Sequence, residues 1–369
     1  MESLNINQKT IAWLNSARGI SNGKIKRLLD YFNGSTRDLW DNFETEKYGL
    51  SVLKPEITDY LSKIRDNFEE TLLKRLNDEN AHTVTIYDSD YPEKLKQIDG
   101  APYILYYKGK LDNIDDLSIA VIGSRKATAY GKWAAEKFTN ELSGLGVNII
   151  SGLAAGIDTV AHKTALKSNA KTVGIIGCGI DIIYPRFNER LYGEIAEKGG
   201  AVITEYPFGM QPLPNNFHDR NRIISGLSDG VLVIEAQERS GTLITAGHAA
   251  NQGREIFAVP GNIDSLYSRG TNTLIKDGAK ITMSMDDIVE EIRELRERVK
   301  KTKNSIDYDF LDEDEAKIIN SLKAAGNRTA YELNEETHID TGKLLSLMTT
   351  LEIKGIVKQL PGNRFILNM

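Results

Sequence analysis

The sequence predicts an α/β fold: a doubly wound, mostly parallel sheet, with a helical segment before it and a winged helix after it. Three observations carry that expectation. Short apolar runs recur from Ser118 onward with helical stretches between nearly all of them. Three glycine-bearing turns each stand between an apolar run and a helical pattern: Gly123-Ser124-Arg125-Lys126, Gly152 to Asp158, and Arg239-Ser240-Gly241-Thr242. Both flanks of the chain place apolar residues at helical spacing.

Residues 1–80 read as helices, since Ile25, Leu28, Leu29 and Phe32 fall on one helical face. Within them, Ala17-Arg18-Gly19-Ile20-Ser21-Asn22-Gly23 joins two helical patterns. It resembles the turn of a helix–hairpin–helix, with a plain αα-hairpin in a small bundle as the alternative. An α/β domain is expected over 81–298. Val84-Thr85-Ile86-Tyr87 and Tyr103-Ile104-Leu105-Tyr106-Tyr107 approach its sheet. The runs Ile119–Ile122, Val147–Ile150, Thr172–Ile176, Ala201–Thr204, Val231–Ile234 and Ile256–Val259 then form it. Continuous apolar strands mean burial on both faces, hence a parallel sheet covered by helices. The pattern stops near Ile292.

A solvated linker is expected at 299–308, around Lys300-Lys301-Thr302-Lys303-Asn304. Over 309–369, helices around Glu313 to Ala325, Ala330 to Glu336 and Thr341 to Lys354 precede a hairpin about Pro361-Gly362-Asn363, the order of a winged helix. Asp307 to Met369 holds 11 acidic and 7 basic side chains, a net of −4. A duplex reader needs a basic face, so this wing is expected to contact protein or regulate.

A chain of 369 residues accommodates two or three domains. Its net charge of −6 argues against a generally basic coat for nucleic acid, so anion binding has to come from local clusters of Arg and Lys. Cys178 is the only cysteine, which excludes a disulfide framework and a Cys-based zinc site. No basic start leads into an apolar stretch, and no apolar run reaches about 18 residues, so a cytoplasmic location is expected.

The turns carry the chemistry. Gly123 lets the backbone approach an anion, Ser124 can cap or donate, and Arg125 and Lys126 supply charge; a tight turn with an exposed Arg is the bland alternative. In the second turn, Asp158 and His162 stand one helical turn apart. No third metal ligand is evident, so Asp158 is expected to cap and His162 to be a satisfied structural partner. Gly177-Cys178-Gly179 lacks the last glycine of a dinucleotide fingerprint, because Ile182 stands there. Cys178 reads as a small buried side chain rather than a nucleophile.

Pro207 to Pro214 is extended and delivers Phe217, Arg220, Asn221 and Arg222 onto a helix start, where the two guanidiniums embrace different phosphates. Phe217 either stacks on an unpaired base or packs under the loop. Arg239, Ser240, Gly241 and Thr242 open a further helix and offer N–H groups and hydroxyls to an anion. No Gly-Lys pair is followed by Ser or Thr, so a Walker A loop is absent and ATP hydrolysis is not expected.

These residues, taken together, resemble the DNA-processing protein A (DprA/Smf) family. The likeness runs through Gly-Ser-Arg at 123–125, Gly-Leu-Ala-Ala-Gly-Ile-Asp at 152–158, Gly-Cys-Gly-Ile-Asp at 177–181 with Tyr184-Pro185, and Arg-Asn-Arg-Ile-Ile-Ser-Gly-Leu-Ser at 220–228. It continues through Val-Ile-Glu-Ala at 233–236, Ser-Gly-Thr-Leu-Ile-Thr-Ala at 240–246 and Ile256 to Gly261. His218 departs from it, since the family usually has proline after the phenylalanine.

The resemblance implies an extended Rossmann-like domain that binds single-stranded DNA without catalysis or cofactor, dimerises, and helps load a RecA-type recombinase on incoming DNA in natural transformation. It implies phosphate contacts from Gly123, Ser124 and Arg125, joined around one pocket by Arg220, Asn221, Arg222 and the Ser240-Gly241-Thr242 turn. It also places dimerisation at the apolar edge of Leu274, Ile275 and Ile281. The alternative is a nucleotide-processing enzyme on a related sheet. Such enzymes resemble Pro-Gly-Gly-x-Gly-Thr-x-x-Glu, whereas this chain has Thr245 at the glutamate position, which removes the obvious general acid or base.

Overall fold

Burial of short apolar strands on both faces organises the larger of two units. The computed structural model describes residues 3–112, 114–304, 312–353 and 356–367, and it divides into Met1–Arg296 and Glu297–Met369.

Five helices lead: α1 (Ile6–Asn15), α2 (Asn22–Tyr31), α3 (Thr36–Glu46), α4 (Pro55–Ile64) and α5 (Phe68–Asp78). Asn5, Ser21 and Ser35 cap the first three, each side chain accepting an N–H that the helix leaves unpaired. Trp13 is fully buried, meets Trp40 and Phe43 edge-on, and donates its indole N–H to Leu61 O at 3.0 Å. Their apolar core runs on into Ile104, Tyr106, Ile176 and Val202 of the sheet layer. The helical N-terminal domain therefore belongs to the same unit as the sheet.

The sheet elements follow as β1 (His82–Thr85), α6 (Glu93–Lys96), β2 (Ile104–Gly109), β3 (Ser118–Ile122), α7 (Ala129–Gly144), β4 (Asn148–Ser151), α8 (Ile157–Lys167) and β5 (Thr172–Ile175). A short 3₁₀ turn (Arg186–Asn188), α9 (Glu189–Glu197), β6 (Ala201–Thr204), α10 (Pro214–Gly226), β7 (Gly230–Val233) and α11 (Gly241–Asn251) come next. Then come β8 (Glu255–Ala258), α12 (Arg269–Lys276), β9 (Lys280–Ile281), α13 (Met285–Glu291) and α14 (Arg293–Asn304). Strand order is β1-β2-β6-β5-β4-β3-β7-β8-β9, parallel from β6 to β9, with β1 and β2 antiparallel at one edge.

Successive residues of β3 face opposite layers, as a pleated strand requires. Ala120 and Ile122 join Ile150, Val231 and Val233 on one side, while Ile119 and Val121 join Ile149, Leu232 and Phe138 on the other. Each apolar run from Ile119 to Val259 appears as a strand within a residue of the expected place, while β1 and the end of β2 are displaced by two residues from the Val84–Tyr87 and Tyr103–Tyr107 runs. Edge strand β9 has two residues and no apolar run to announce it.

The second unit comprises α15 (Glu313–Ala325), β10 (Arg328–Thr329), α16 (Ala330–Thr337), α17 (Thr341–Ile353), β11 (Val357–Leu360) and β12 (Arg364–Leu367). Its antiparallel sheet is ordered β10-β12-β11, and Ile318, Leu322, Leu333, Leu344, Met348 and Phe365 fill its interior. This is a winged helix. The expected linker at 299–308 begins inside α14, because lysine-rich sequence resists burial but not helix formation. Its remainder, 305–308, lies outside the described residues, as does 309–311 of the expected winged-helix span.

Candidate nucleic-acid interface

The chain leaves β3 on one side to build β4, β5 and β6, and returns on the other side to build β7 and β8. Such a switch point opens a crevice beyond the carboxyl ends of the two central strands. Here the turns after β3, β4 and β7 meet.

The first two turns dovetail. Ile157 donates its N–H to Ser124 O at 3.2 Å, and Gly156 turns the chain at a φ of 80°. A Cβ on Gly156 would overlap Ser124 O, and one on Gly123 would stand 2.7 Å from Ile157 Cγ1, so both positions require glycine. Ser124 Oγ accepts from Lys126 N at 3.1 Å, which curls the cationic end of the turn. Behind it, Thr128 caps α7 by accepting from Gly131 N, and the buried Glu235 carboxylate accepts from Thr128 N at 3.0 Å and from its hydroxyl. Glu235 thus fixes the turn after β3 to the end of β7.

Arg220 is the central charge. It lies 3% exposed in α10 and donates from Nη1 to Gly152 O at 2.8 Å. Asp158 Oδ2 accepts from Gly152 N at 3.1 Å, so the backbone of one residue, Gly152, is held between guanidinium and carboxylate. Burial pushes Asp158 above its ordinary 3.8, opposed by Arg220 and by backbone N–H donors; burial likewise lowers Arg220, opposed by Asp158. Arginine nonetheless stays protonated. Its Nε has no hydrogen-bond partner among the described residues, and neither has Ser240 Oγ. Ser240 is the N-cap of α11, yet its side chain makes no cap bond, so that helix start presents its amides outward.

The resulting cleft encloses about 450 Å³. It brings together Gly123, Ser124, Arg125, Lys126, Phe217, Arg220, Asn221, Arg239, Ser240, Gly241 and Thr242. Phe217 is half-buried, with the Arg125 and Arg220 guanidiniums 5.2 and 5.8 Å from its ring centre. Asn221 ties α10 to the start of α11 by donating to Gly241 O at 3.2 Å. Four cationic side chains line the cleft against one carboxylate, Asp158. Asp158, His218, Gln237 and Thr245 also line it; the sequence signal for Asp158 was its place as the last residue of a glycine turn.

Arg222 goes elsewhere. Arg220-Asn221-Arg222 sits in the middle of α10, not at its start, and two residues apart on a helix point to nearly opposite sides. Arg222 forms a bidentate pair with the buried Glu205, Nη2 to Oε2 at 2.7 Å, and also donates to Gly100 O. It lines a separate groove beside the Ala17 to Gly23 turn. Embracing of different phosphates by the two arginines around one pocket therefore has no geometric basis.

His162 and Cys178 are structural. His162 is fully buried, bonds Thr172 Oγ1 through Nδ1 at 2.7 Å, and is pulled down to about 3 by burial and by Arg220, so it is neutral. The Cys178 thiol donates to Ile182 O and burial pushes it up to about 12, which leaves it un-ionised and inert. No cluster of three metal-ligating side chains occurs among the described residues. Leu274 and Ile275 are half-buried on α12, and Ile281 is 40% exposed on edge strand β9. Among the described residues no helix is long and apolar enough to cross a membrane.

Residues 82–293 match the family described as DNA recombination-mediator protein A. DNA processing protein DprA of Streptococcus pneumoniae is 45% identical over 207 residues, 56% of this chain and 73% of that one. DNA processing protein DprA of Bacillus subtilis is 39% identical over 245 residues, 66% of this chain and 80% of that one. Protein Smf of Escherichia coli is 42% identical over 63% of this chain, which spans 62% of that protein's length. Among solved structures, the S. pneumoniae DprA aligns with a TM-score of 0.67 at 35% identity, covering 79% of this chain and 99% of that one. A DNA processing protein A of Helicobacter pylori, described for its single-stranded DNA binding mode, aligns at 0.53 and 28% identity over 60% of this chain and 98% of its own.

Proposed function

We propose, for a chain that belongs to the DNA recombination-mediator protein A family, that the switch-point cleft grips single-stranded DNA without transforming it and thereby serves recombination on incoming DNA. The observation that carries this reading is the buried Arg220 in the wall of a cleft of four cations, beside a helix start that no side chain caps. Phosphate oxygens take the Ser124 and Arg125 turn, Arg220, Arg239 and the amides of Gly241 and Thr242. Phe217, with the Arg125 and Arg220 guanidiniums near its ring, stacks on one base, with no sequence preference.

Binding without catalysis fits the same geometry. Thr245 is 2% exposed in the cleft wall where a carboxylate is needed for acid–base work, and Asp158 is occupied by Gly152 N–H. Release of ribose phosphate from a nucleoside monophosphate would overturn this part.

The downstream partner is a RecA-type recombinase, loaded onto the held strand, and the working form is a homodimer joined through the edge of Leu274, Ile275 and Ile281. Exposed Ile281, on strand β9 whose outer side has no partner strand among the described residues, and exposed Met283 just after it support that edge. The winged helix is a protein-docking module in this reading. Lys343 of α17 is paired with Asp314 at 2.5 Å, while Leu345 and Ile353 are exposed on the same helix.

The test is oligonucleotide binding by Arg125→Ala. It weakens affinity equally across sequences and lowers the slope of log affinity against log salt by about 1. Parental binding by that variant refutes the cleft. Sedimentation as a monomer at micromolar concentration refutes the dimer.

A further inference from the structure

The geometry points to a second DNA-binding surface, a basic groove capped by Phe187 between α8 and α9, which receives the same single strand as it leaves the cleft. This rests on the cleft being the primary DNA site.

Phe187 stands 70% exposed on the Arg186–Asn188 turn, an unusual place for a large apolar ring. Beneath it lies a groove of about 330 Å³ whose charged walls are Lys163, Lys167, Arg190 and Lys198, with Glu194 as the single carboxylate. Glu194 is already paired with Arg190 at 2.6 Å. Lys163 and Lys167 are exposed one turn apart on the outer face of α8, and neither forms an ion pair among the described residues. In a chain of net charge −6, four cations around an exposed ring form a polyanion surface with a stacking platform, the combination that single strands use.

The segment from Tyr184 to Asn188 links the groove to the cleft. Tyr184, 43% exposed, has its ring centre 5.5 Å from that of Phe217 in the cleft wall, and it precedes Phe187 by three residues. Asn188 donates to Leu153 O and to Thr159 Oγ1, both at 2.9 Å, which bolts the Phe187 turn to the loop carrying Ala154 and Asp158 of the cleft. On α8, Asp158 faces the cleft, while Lys163 and Lys167, about 140° and 180° round the helix from it, line the groove on the outer face, with a rise of about 6 Å between the lysines. A strand that stacks on Phe217 and passes over Tyr184 is thereby led to the Phe187 ring and the lysines on the outer face of α8.

The experiment compares the full chain, Phe187→Ala, the double variant Lys163→Gln with Lys167→Gln, and Arg125→Ala by fluorescence anisotropy. Two probes are used, one of roughly six thymidines, within the cleft's reach, and one of roughly twenty. The expected result is a loss of about tenfold by Phe187→Ala on the long probe alone, restored by Phe187→Trp. For the lysine variant, the salt slope on the long probe falls by about 1 to 2. Melting temperatures match the parent because all three side chains are exposed. Long-probe affinity and slope equal to the parent, with Arg125→Ala still defective, overturn the groove and leave the cleft standing; an Arg125→Ala without defect overturns the cleft itself. Groove variants that bind both probes normally but fail to stimulate a recombinase assign this face to protein and also overturn the proposal.

Discussion

Replacing Arg220 by methionine separates the structural from the ligand-gripping role of the buried guanidinium. In the parent, Arg220 offsets the charge of Asp158, which burial already holds above 3.8. The Arg220→Met variant keeps much of the side-chain volume and removes the cation, leaving a buried carboxylate with only backbone donors. Leaving a buried charge uncompensated in this way costs about 3–5 kcal/mol, which lowers the melting temperature by roughly 10 °C in a unit of this size. The sign with pH is definite. A carboxyl whose folded pKa exceeds its unfolded value binds more protons when folded, so stability falls as pH rises through the window above 3.8. Arg220→Met is therefore most impaired at neutral pH and recovers toward the parent as the pH drops to about 4. Adding Asp158→Asn removes the stranded charge and restores most of the stability. DNA binding does not follow, because a charge-assisted bond worth about 1.5–3 kcal/mol is still missing, a loss of about 10- to 100-fold in affinity. Thermal melts across pH and anisotropy with oligothymidine read the two effects. Parental stability of the single variant, or parental affinity of the double one, refutes the reasoning.

Gly156→Ala drives a Cβ into Ser124 O at a positive φ, costing more than about 1–3 kcal/mol and disordering the cleft, whereas Gly241→Ala meets open space and stays within about 0.5 kcal/mol in the same melts. Arg222→Ala strands buried Glu205 and lowers stability by about 3–5 kcal/mol in urea titration, yet the folded protein retains oligonucleotide affinity; lost affinity would return Arg222 to the cleft. His162 is folded in the neutral state with its pKa pulled down to about 3, so the native protein binds fewer protons than the unfolded chain. Stability then declines as pH drops from about 6.5 toward 3, by about 1.4 kcal/mol per pH unit, and His162→Gln flattens that limb in urea midpoints compared at about pH 7 and about pH 4.

Much of the architecture was legible in one dimension because its causes are local. Runs such as Ile119–Ile122 and Val231–Ile234 are apolar at every position, which only a strand buried on both faces tolerates, and the helices between them impose parallel pairing. The glycine turns were legible for the same reason: the need for Gly156 is a backbone φ, written in the residue type itself. Edge strand β9 and β10 of the wing were not, since two residues carry no periodicity.

Direction is what the linear order could not supply. Arg220 and Arg222 are equal as letters two positions apart, and the helix that turns them to opposite sides begins at Pro214, six residues ahead of the first. One reaches Gly152 and becomes the charge of the cleft, while the other reaches Glu205 and becomes a strut. Likewise Glu235 reads as an ordinary strand-end glutamate until the β3–β7 pairing sets it beneath Thr128. Residue type determined which groups could carry charge, stack or bend the chain. Only the packing of sheet and helices decided which of them share a cleft, because burial compels each polar group to find a partner and those partners lie tens to hundreds of residues away.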